Sequence, residues 1–212
     1  MIRVLLVDDQ QLVRAGLRML CESDPEMEVV GEAPDGATAV RLAGQAHPDV
    51  VLMDLRMPGV NGTTATARIL AERPMTRVVI LTTFDDDDHL YPALAAGACG
   101  FLVKDATPAE LLDGVRRAAA GDSPFSPGVL RRVVARAMRA QAAPTPPRGI
   151  VNATDRERDV LALVGAGLSN PEIAARLHLG VTTVKTHVAS LMAKTGCANR
   201  VQLAVLAVQS GL

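Results

Sequence analysis

Five short runs rich in Val, Leu and Ile, at residues 3–7, 28–32, 50–53, 78–81 and 100–103, alternate with amphipathic stretches. The latter lie at 11–22, 36–46, 63–72, an Ala-rich segment ending near Ala96, and 108–120. Alternation repeated this often calls for a parallel sheet with helices on both faces. The runs are nearly continuous in apolar residues, as strands covered on both sides are. Aromatics make up 2% of the chain and Trp is absent, so aliphatic side chains must fill the core. Hydrophobic residues at 49% supply that core and exclude a disordered chain.

The pattern ends near residue 122. A turn, Gly121-Asp122-Ser123-Pro124, precedes an Arg-rich stretch at 127–139 that is expected to form a linking helix. Residues 140–149, AQAAPTPPRG, have the composition of an extended flexible linker. Residues 154–212 carry no strand pattern and predict four short helices, broken near 165–169, 178–180 and 196–198. The expected organisation is a domain over 1–122, a linker helix and flexible linker over 123–150, and a second domain over 151–212. Charge divides along the same line. Residues 1–122 hold 19 acidic and 11 basic side chains, a balance of −8, and residues 123–212 hold 4 and 11, a balance of +7. The basic half is the candidate partner of nucleic acid. Cys21, Cys99 and Cys197 form no C-x-x-C pair, which argues against a disulfide framework or zinc site and suits a reducing cytoplasm. The first apolar run ends in two aspartates, unlike a signal peptide, and no apolar stretch suits a bilayer span. A cytoplasmic chain without membrane contact is expected.

Asp8 and Asp9 follow the first strand run and Asp54 closes the third. Open doubly wound sheets bind ligands beyond the carboxyl ends of their strands, where strand order reverses. With the flavodoxin-like order 2-1-3-4-5, that point lies between strands one and three, so these three carboxylates converge there. Carboxylates so placed repel one another unless a cation intervenes. Mg²⁺, with its preference for oxygen ligands and for a phosphate, meets that need. Asp54 beside the metal is then a nucleophile toward a phosphoryl group. Thr82 at the end of strand four offers a hydroxyl, and Lys104 at the end of strand five a mobile positive charge.

At these residues the first half resembles a response-regulator receiver domain. The matching pieces are LLVDD (5–9), VVLMDLRMPGVNG (50–62), VVILTT (78–83) and GFLVKD (100–105), in order and each at a strand end. The resemblance implies that Asp54 is the phosphoacceptor, and that Asp9, Asp54 and the main-chain carbonyl of Arg56 bind Mg²⁺ with Asp8 in support. It also implies that Thr82 and Lys104 contact the phosphoryl group, and that Phe101 takes the position of the switch aromatic. Phe101 has no hydroxyl, so its switching must rest on ring packing. Pro92 falls inside the expected fourth helix, which must start late or kink. The Asp85–Asp88 run is expected as a solvated helix start.

In the C-terminal segment, Thr154-Asp155-Arg156-Glu157 has the capping pattern of a helix start. Asn170-Pro171 suggests an N-cap followed by Pro at the first helical position. Two short helices joined by a Gly-containing turn make a helix-turn-helix. TDRERDVL (154–161), GLSNPEIAARL (167–177), TTVKTHVASLMAKTG (182–196) and NRVQLAV (199–205) resemble the LuxR-type domain. The two domains together are similar to the NarL/FixJ family of response regulators. That likeness makes 181–195 the recognition helix, with Lys185 and Thr186 facing the major groove. Thr182, Thr183, His187 and Lys194 would lie near the backbone or groove edge. It implies a sensor histidine kinase, double-stranded promoter DNA and a homodimer on DNA as partners. Two departures stand out: Gly180 replaces a usual Ser cap, and Ala189 stands where some members have Lys. Residues 204–208 suit either a dimer face or the core.

The leading expectation is a phosphorylation-switched transcription regulator and not an enzyme. Phosphatases of the haloacid-dehalogenase type, which share a nucleophilic Asp, place a second Asp two residues on; here that position is Arg56. A third possibility is a constitutive or partner-controlled DNA binder with a vestigial receiver.

Overall fold

In a computed structural model, which describes residues 1–82, 87–125, 153–197 and 199–211, the chain forms two compact units, Met1–Ser126 and Pro127–Leu212. The first holds strands β1 (Ile2–Val7), β2 (Met27–Ala33), β3 (Val50–Asp54), β4 (Arg77–Thr82) and β5 (Gly100–Val103). Between and after them lie helices α1 (Gln11–Glu22), α2 (Gly36–Ala46), α3 (Gly62–Glu72), α4 (Asp87–Ala95) and α5 (Pro108–Ala119). All strand pairings are parallel and the order is β2-β1-β3-β4-β5. This is the doubly wound, flavodoxin-like sheet that the alternating pattern predicts.

Side chains alternate across the sheet. Val4, Leu6, Val50, Leu52, Val79, Leu81 and Leu102 form one face, packed with Leu17 and Cys21 of α1 and Leu111, Val115 and Ala118 of α5. Leu5, Val7, Val51, Met53 and Ile80 alternate with them and are also buried. Helix starts are locally encoded. Asp35 accepts from Thr38 N at 2.8 Å and Asn61 from Thr64 N at 2.9 Å. Thr107 and Glu110 form a reciprocal capping box ahead of Pro108. Helix α4 starts at Asp87 and runs through Pro92, so Asp87 and Asp88 do open a helix. Asp85 and Asp86 lie outside the described residues.

After α5 the chain turns at Gly121 (φ 86°) and runs beside β5. Phe101 N donates to Pro124 O at 2.8 Å, and Phe101 and Phe125 form a parallel bridge. A Cβ on Gly100 would lie 2.5 Å from Pro124 O, so only glycine allows this approach. The expected linking helix at 127–139 and the linker at 140–149 lie outside the described residues.

The second unit holds α6 (Asp155–Gly165), α7 (Asn170–Leu177), α8 (Val181–Thr195) and α9 (Arg200–Gln209). Val160, Leu161 and Val164 of α6, Ile173 of α7, Val184, Val188 and Leu191 of α8, and Leu203 and Ala207 of α9 share one core. One expectation is corrected. The N-cap of α7 is Ser169, whose N and Oγ both donate to Glu172 at 2.7 Å. Asn170 is instead the first helical residue, 1% exposed, and accepts from Arg200 at 2.7 Å. Pro171 therefore sits one position further in. Among the described residues, no helix is long and apolar enough to cross a membrane.

Candidate functional site: an acidic cluster and a helix-turn-helix

Neighbouring strands bring the acidic cluster together. Val7 of β1 pairs with Met53 of β3, so the next residues, Asp8 and Asp54, lie side by side at the carboxyl edge of the sheet. Thr82 pairs with Val103 of β5, and Lys104 follows, its N donating to Thr82 O at 2.8 Å. Asp8 is wholly buried, Asp54 is 5% exposed and Asp9 is exposed. One carboxylate oxygen from each of the three lies within 4.8 Å of the other two. The Lys104 ammonium is 2.6 Å from Asp8 Oδ2 and 3.0 Å from Asp54 Oδ1. The other Asp8 oxygen accepts from Gln10 N at 2.9 Å.

Burial raises the pKa of Asp54 above the ordinary aspartate value, against the opposing pull of Lys104. For Lys104, burial works to lower the pKa, and its hydrogen bonds to Asp8 and Asp54 outweigh it, so the ammonium is held charged. One ammonium against three carboxylates leaves the cluster short of positive charge. An all-oxygen donor set with that deficit suits a hard divalent cation such as Mg²⁺. Arg56 is exposed in the loop after β3. Thr82 is 2% exposed, and Phe101 is fully buried with its ring stacked on Phe125, centroids 6.0 Å apart. Sequence patterning did not single out Phe125, because a three-residue segment carries no periodicity.

Cys21 and Cys99 are buried, and burial pushes their thiols to about 11 and about 12, so neither is a ready nucleophile.

In the second unit α7, the turn at 178–180 and α8 form the helix-turn-helix. His178 adopts a left-handed conformation (φ 54°), and Gly180 caps α8 through its backbone alone. Val184, Val188 and Leu191 face the core. Thr182, Thr183, Lys185, Thr186, Ala189 and Lys194 are exposed, and His187 is half-buried. Thr186 Oγ1 donates to Thr182 O at 3.1 Å. On α9, Leu203 and Ala207 are core residues, whereas Ala204, Val205 and Leu206 are half-buried.

Glu157 of α6, which the sequence offers only as a capping residue, is 4% exposed. It accepts from Thr154 N at 2.8 Å, Ser190 Oγ at 2.7 Å and Lys194 Nζ at 2.8 and 2.7 Å. The Lys194 bond, then Ser190 and Thr154, holds its carboxyl at about 2. Because this folded value lies below the ordinary 4.5, the stabilisation is complete above 4.5 and lost as pH falls toward 2. In thermal melts of the full chain, Glu157→Gln should therefore lower stability near neutrality and flatten its decline through that window. An unchanged slope would remove Glu157 from the acid sensitivity of this unit.

Comparison with known proteins matches the geometry. The family model for the response regulator receiver domain matches residues 4–116, and that for bacterial regulatory proteins of the luxR family matches 152–207. Transcriptional regulatory protein LiaR of Bacillus subtilis is 40% identical over 98% of this chain and 97% of its own. Response regulator protein VraR of Staphylococcus aureus is 36% identical over 100% of this chain and 98% of its own. The crystal structure of the response regulator ChrA of a heme-sensing two-component system superposes with a TM-score of 0.55 at 36% identity, covering 99% of this chain and 98% of that one. An acid-lined receiver sheet and a LuxR-type helix-turn-helix in one chain, matched end to end by such relatives, place this chain in the NarL/FixJ family of two-component response regulators, which regulate transcription.

Proposed function

We propose that Asp54 of this chain is phosphorylated by a sensor histidine kinase, and that this switches sequence-specific binding of residues 151–212 to promoter DNA. The observation that carries the proposal is the Lys104 ammonium held between the Asp8 and Asp54 carboxylates beside Asp9. An ionised Asp54 oxygen attacks the phosphorus of a phosphohistidine; the P–O bond forms, the P–N bond breaks, and the departing imidazole takes up a proton. Asp9, Asp54 and the Arg56 carbonyl, supported by Asp8, would hold Mg²⁺, which supplies positive charge for the phosphoryl oxygens. Lys104 pairs with the transferred group, and the Thr82 hydroxyl donates to one of its oxygens. Phe101 pairs with Ile80, two residues before Thr82, and stacks on Phe125, so its repacking would carry a change at Thr82 toward the segment that follows Phe125. Arg56 stands where a phosphatase would need an acid/base carboxylate, so Asp54 accepts a phosphoryl group without serving catalytic turnover.

On the DNA side, Lys185 and Thr186 are placed to reach base edges, with Thr182, Thr183 and His187 toward the backbone. The half-buried Ala204, Val205 and Leu206 offer a face for a homodimer on DNA. Promoter DNA as partner places the chain in the cytoplasm. Intact mass after treatment with acetyl phosphate and Mg²⁺ tests the first step. Wild type should gain one phosphoryl group and Asp54→Ala none. No gain in folded wild type, or an equal gain in the variant, would overturn the assignment and favour a constitutive DNA binder.

A further inference from the structure

One carboxylate joins two helices in the second unit. Ser190 and Lys194 lie one turn apart on α8, and both donate to Glu157 at the start of α6. The Glu157 side chain is 5% exposed, and that of Lys194 38%. Lys194 follows Lys185 by nine residues, which at 3.6 residues per turn puts it about half a turn round the helix. It thus lies on the flank of α8 that meets α6.

We propose that Glu157 and Lys194 are positioning residues that fix the angle of α8 against α6 for DNA binding, and that Lys194 makes no phosphate contact. The inference rests on α8 being the recognition helix. The two short, charge-assisted bonds hold the Lys194 ammonium against a buried anion and offset its charge, and drawing it out toward a phosphate would stretch both, a larger loss than one exposed contact returns. The carboxylate has a second duty, because the same group accepts from Thr154 N and so holds the first turn of α6. Helix start and recognition helix are thereby set by one side chain. Among the described residues, no ion pair ties Lys185, which remains the cation of α8 available to DNA.

The test uses the full chain and a duplex that the wild-type protein selects from a random library, with a scrambled duplex as reference, over a range of salt. Lys194→Met and Glu157→Gln should each weaken binding to the selected duplex by about tenfold, the equivalent of one charge-assisted hydrogen bond. The slope of log affinity against log salt should not change. Lys185→Met should narrow the gap in affinity between the selected and the scrambled duplex, as the loss of a base-edge contact does. Lys194→Arg should keep wild-type affinity, and Ser190→Ala, which spares the ion pair, should fall between. Glu157→Gln is the sharpest arm, because releasing a phosphate-binding lysine would tighten binding to both duplexes. Such tightening, or a reduced slope in Lys194→Met, overturns the proposal. So do variants that melt lower yet bind with wild-type affinity when folded, since the pair would then be merely structural. A folded wild type that selects no duplex would remove the recognition-helix assignment itself, and this inference with it.

Discussion

Lys104→Met is expected to cost the receiver roughly 3 kcal/mol of stability in the presence of a chelator, because it leaves two buried carboxylates without their cation. The Asp8 side chain is fully buried, that of Asp54 is 7% exposed and that of Lys104 18%. Water therefore screens the pair poorly, and the repulsion between Asp8 and Asp54 acts nearly unopposed once the ammonium is gone. For a domain of this size the loss corresponds to a fall in melting temperature of about 10 °C. Mg²⁺ should reverse much of it. In wild type a divalent ion competes with Lys104 for the same oxygens, so added Mg²⁺ should raise the melting temperature of the variant more than that of wild type. Thermal unfolding followed by circular dichroism, with chelator and with excess Mg²⁺, reads both effects. Equal melting in chelator would show that Lys104 does not neutralise the cluster. Equal stabilisation by Mg²⁺ would show that ion and ammonium occupy separate places.

Much of this site was legible because strand ends are. Apolar runs that stop at Asp8 and at Asp54, alternating with amphipathic stretches, fit buried parallel strands whose last residues line one edge. Lys104 was legible for the same reason. What escaped was set by tertiary contact. Asn170-Pro171 carries the chemistry of a helix start, yet Ser169 and Glu172 form the stronger local pair and shift the cap by one residue. Asn170 is then drawn inward by Arg200, thirty positions away. Glu157 sits in a capping pattern that fully accounts for a glutamate at that position, so nothing local hints at its second bond to Lys194, 37 residues on. Phe125 lies in a segment too short to show a period, and only the glycine at position 100 hints that another backbone passes there.

Glycine has opposite meanings at two helical positions of the receiver, and alanine substitutions should separate them. Gly62 opens α3 immediately behind the acidic cluster, its N donating to Leu55 O at 3.1 Å. A Cβ there would lie 2.1 Å from Asp54 O and 2.9 Å from Leu55 Cα. Both are backbone atoms, so no side chain is available to swing aside, and α3 and the end of β3 must part. Helix propensity favours alanine over glycine by about 1 kcal/mol. Overpacking against backbone costs about 3 kcal/mol or more and therefore wins. Gly62→Ala should lower the denaturant midpoint, and its folded fraction should accept phosphate from acetyl phosphate slowly, because Asp54 moves away from Lys104. Gly16 of α1 is exposed and has nothing within 4 Å of the missing Cβ. There propensity acts alone, and Gly16→Ala should raise stability by about 0.5–1 kcal/mol. The paired signs are what make the test decisive. A Gly62→Ala chain as stable as Gly16→Ala would mean that the first turn of α3 slides freely over β3, and the placement of Asp54 would then depend on Lys104 and a bound cation, not on the backbone packed behind it.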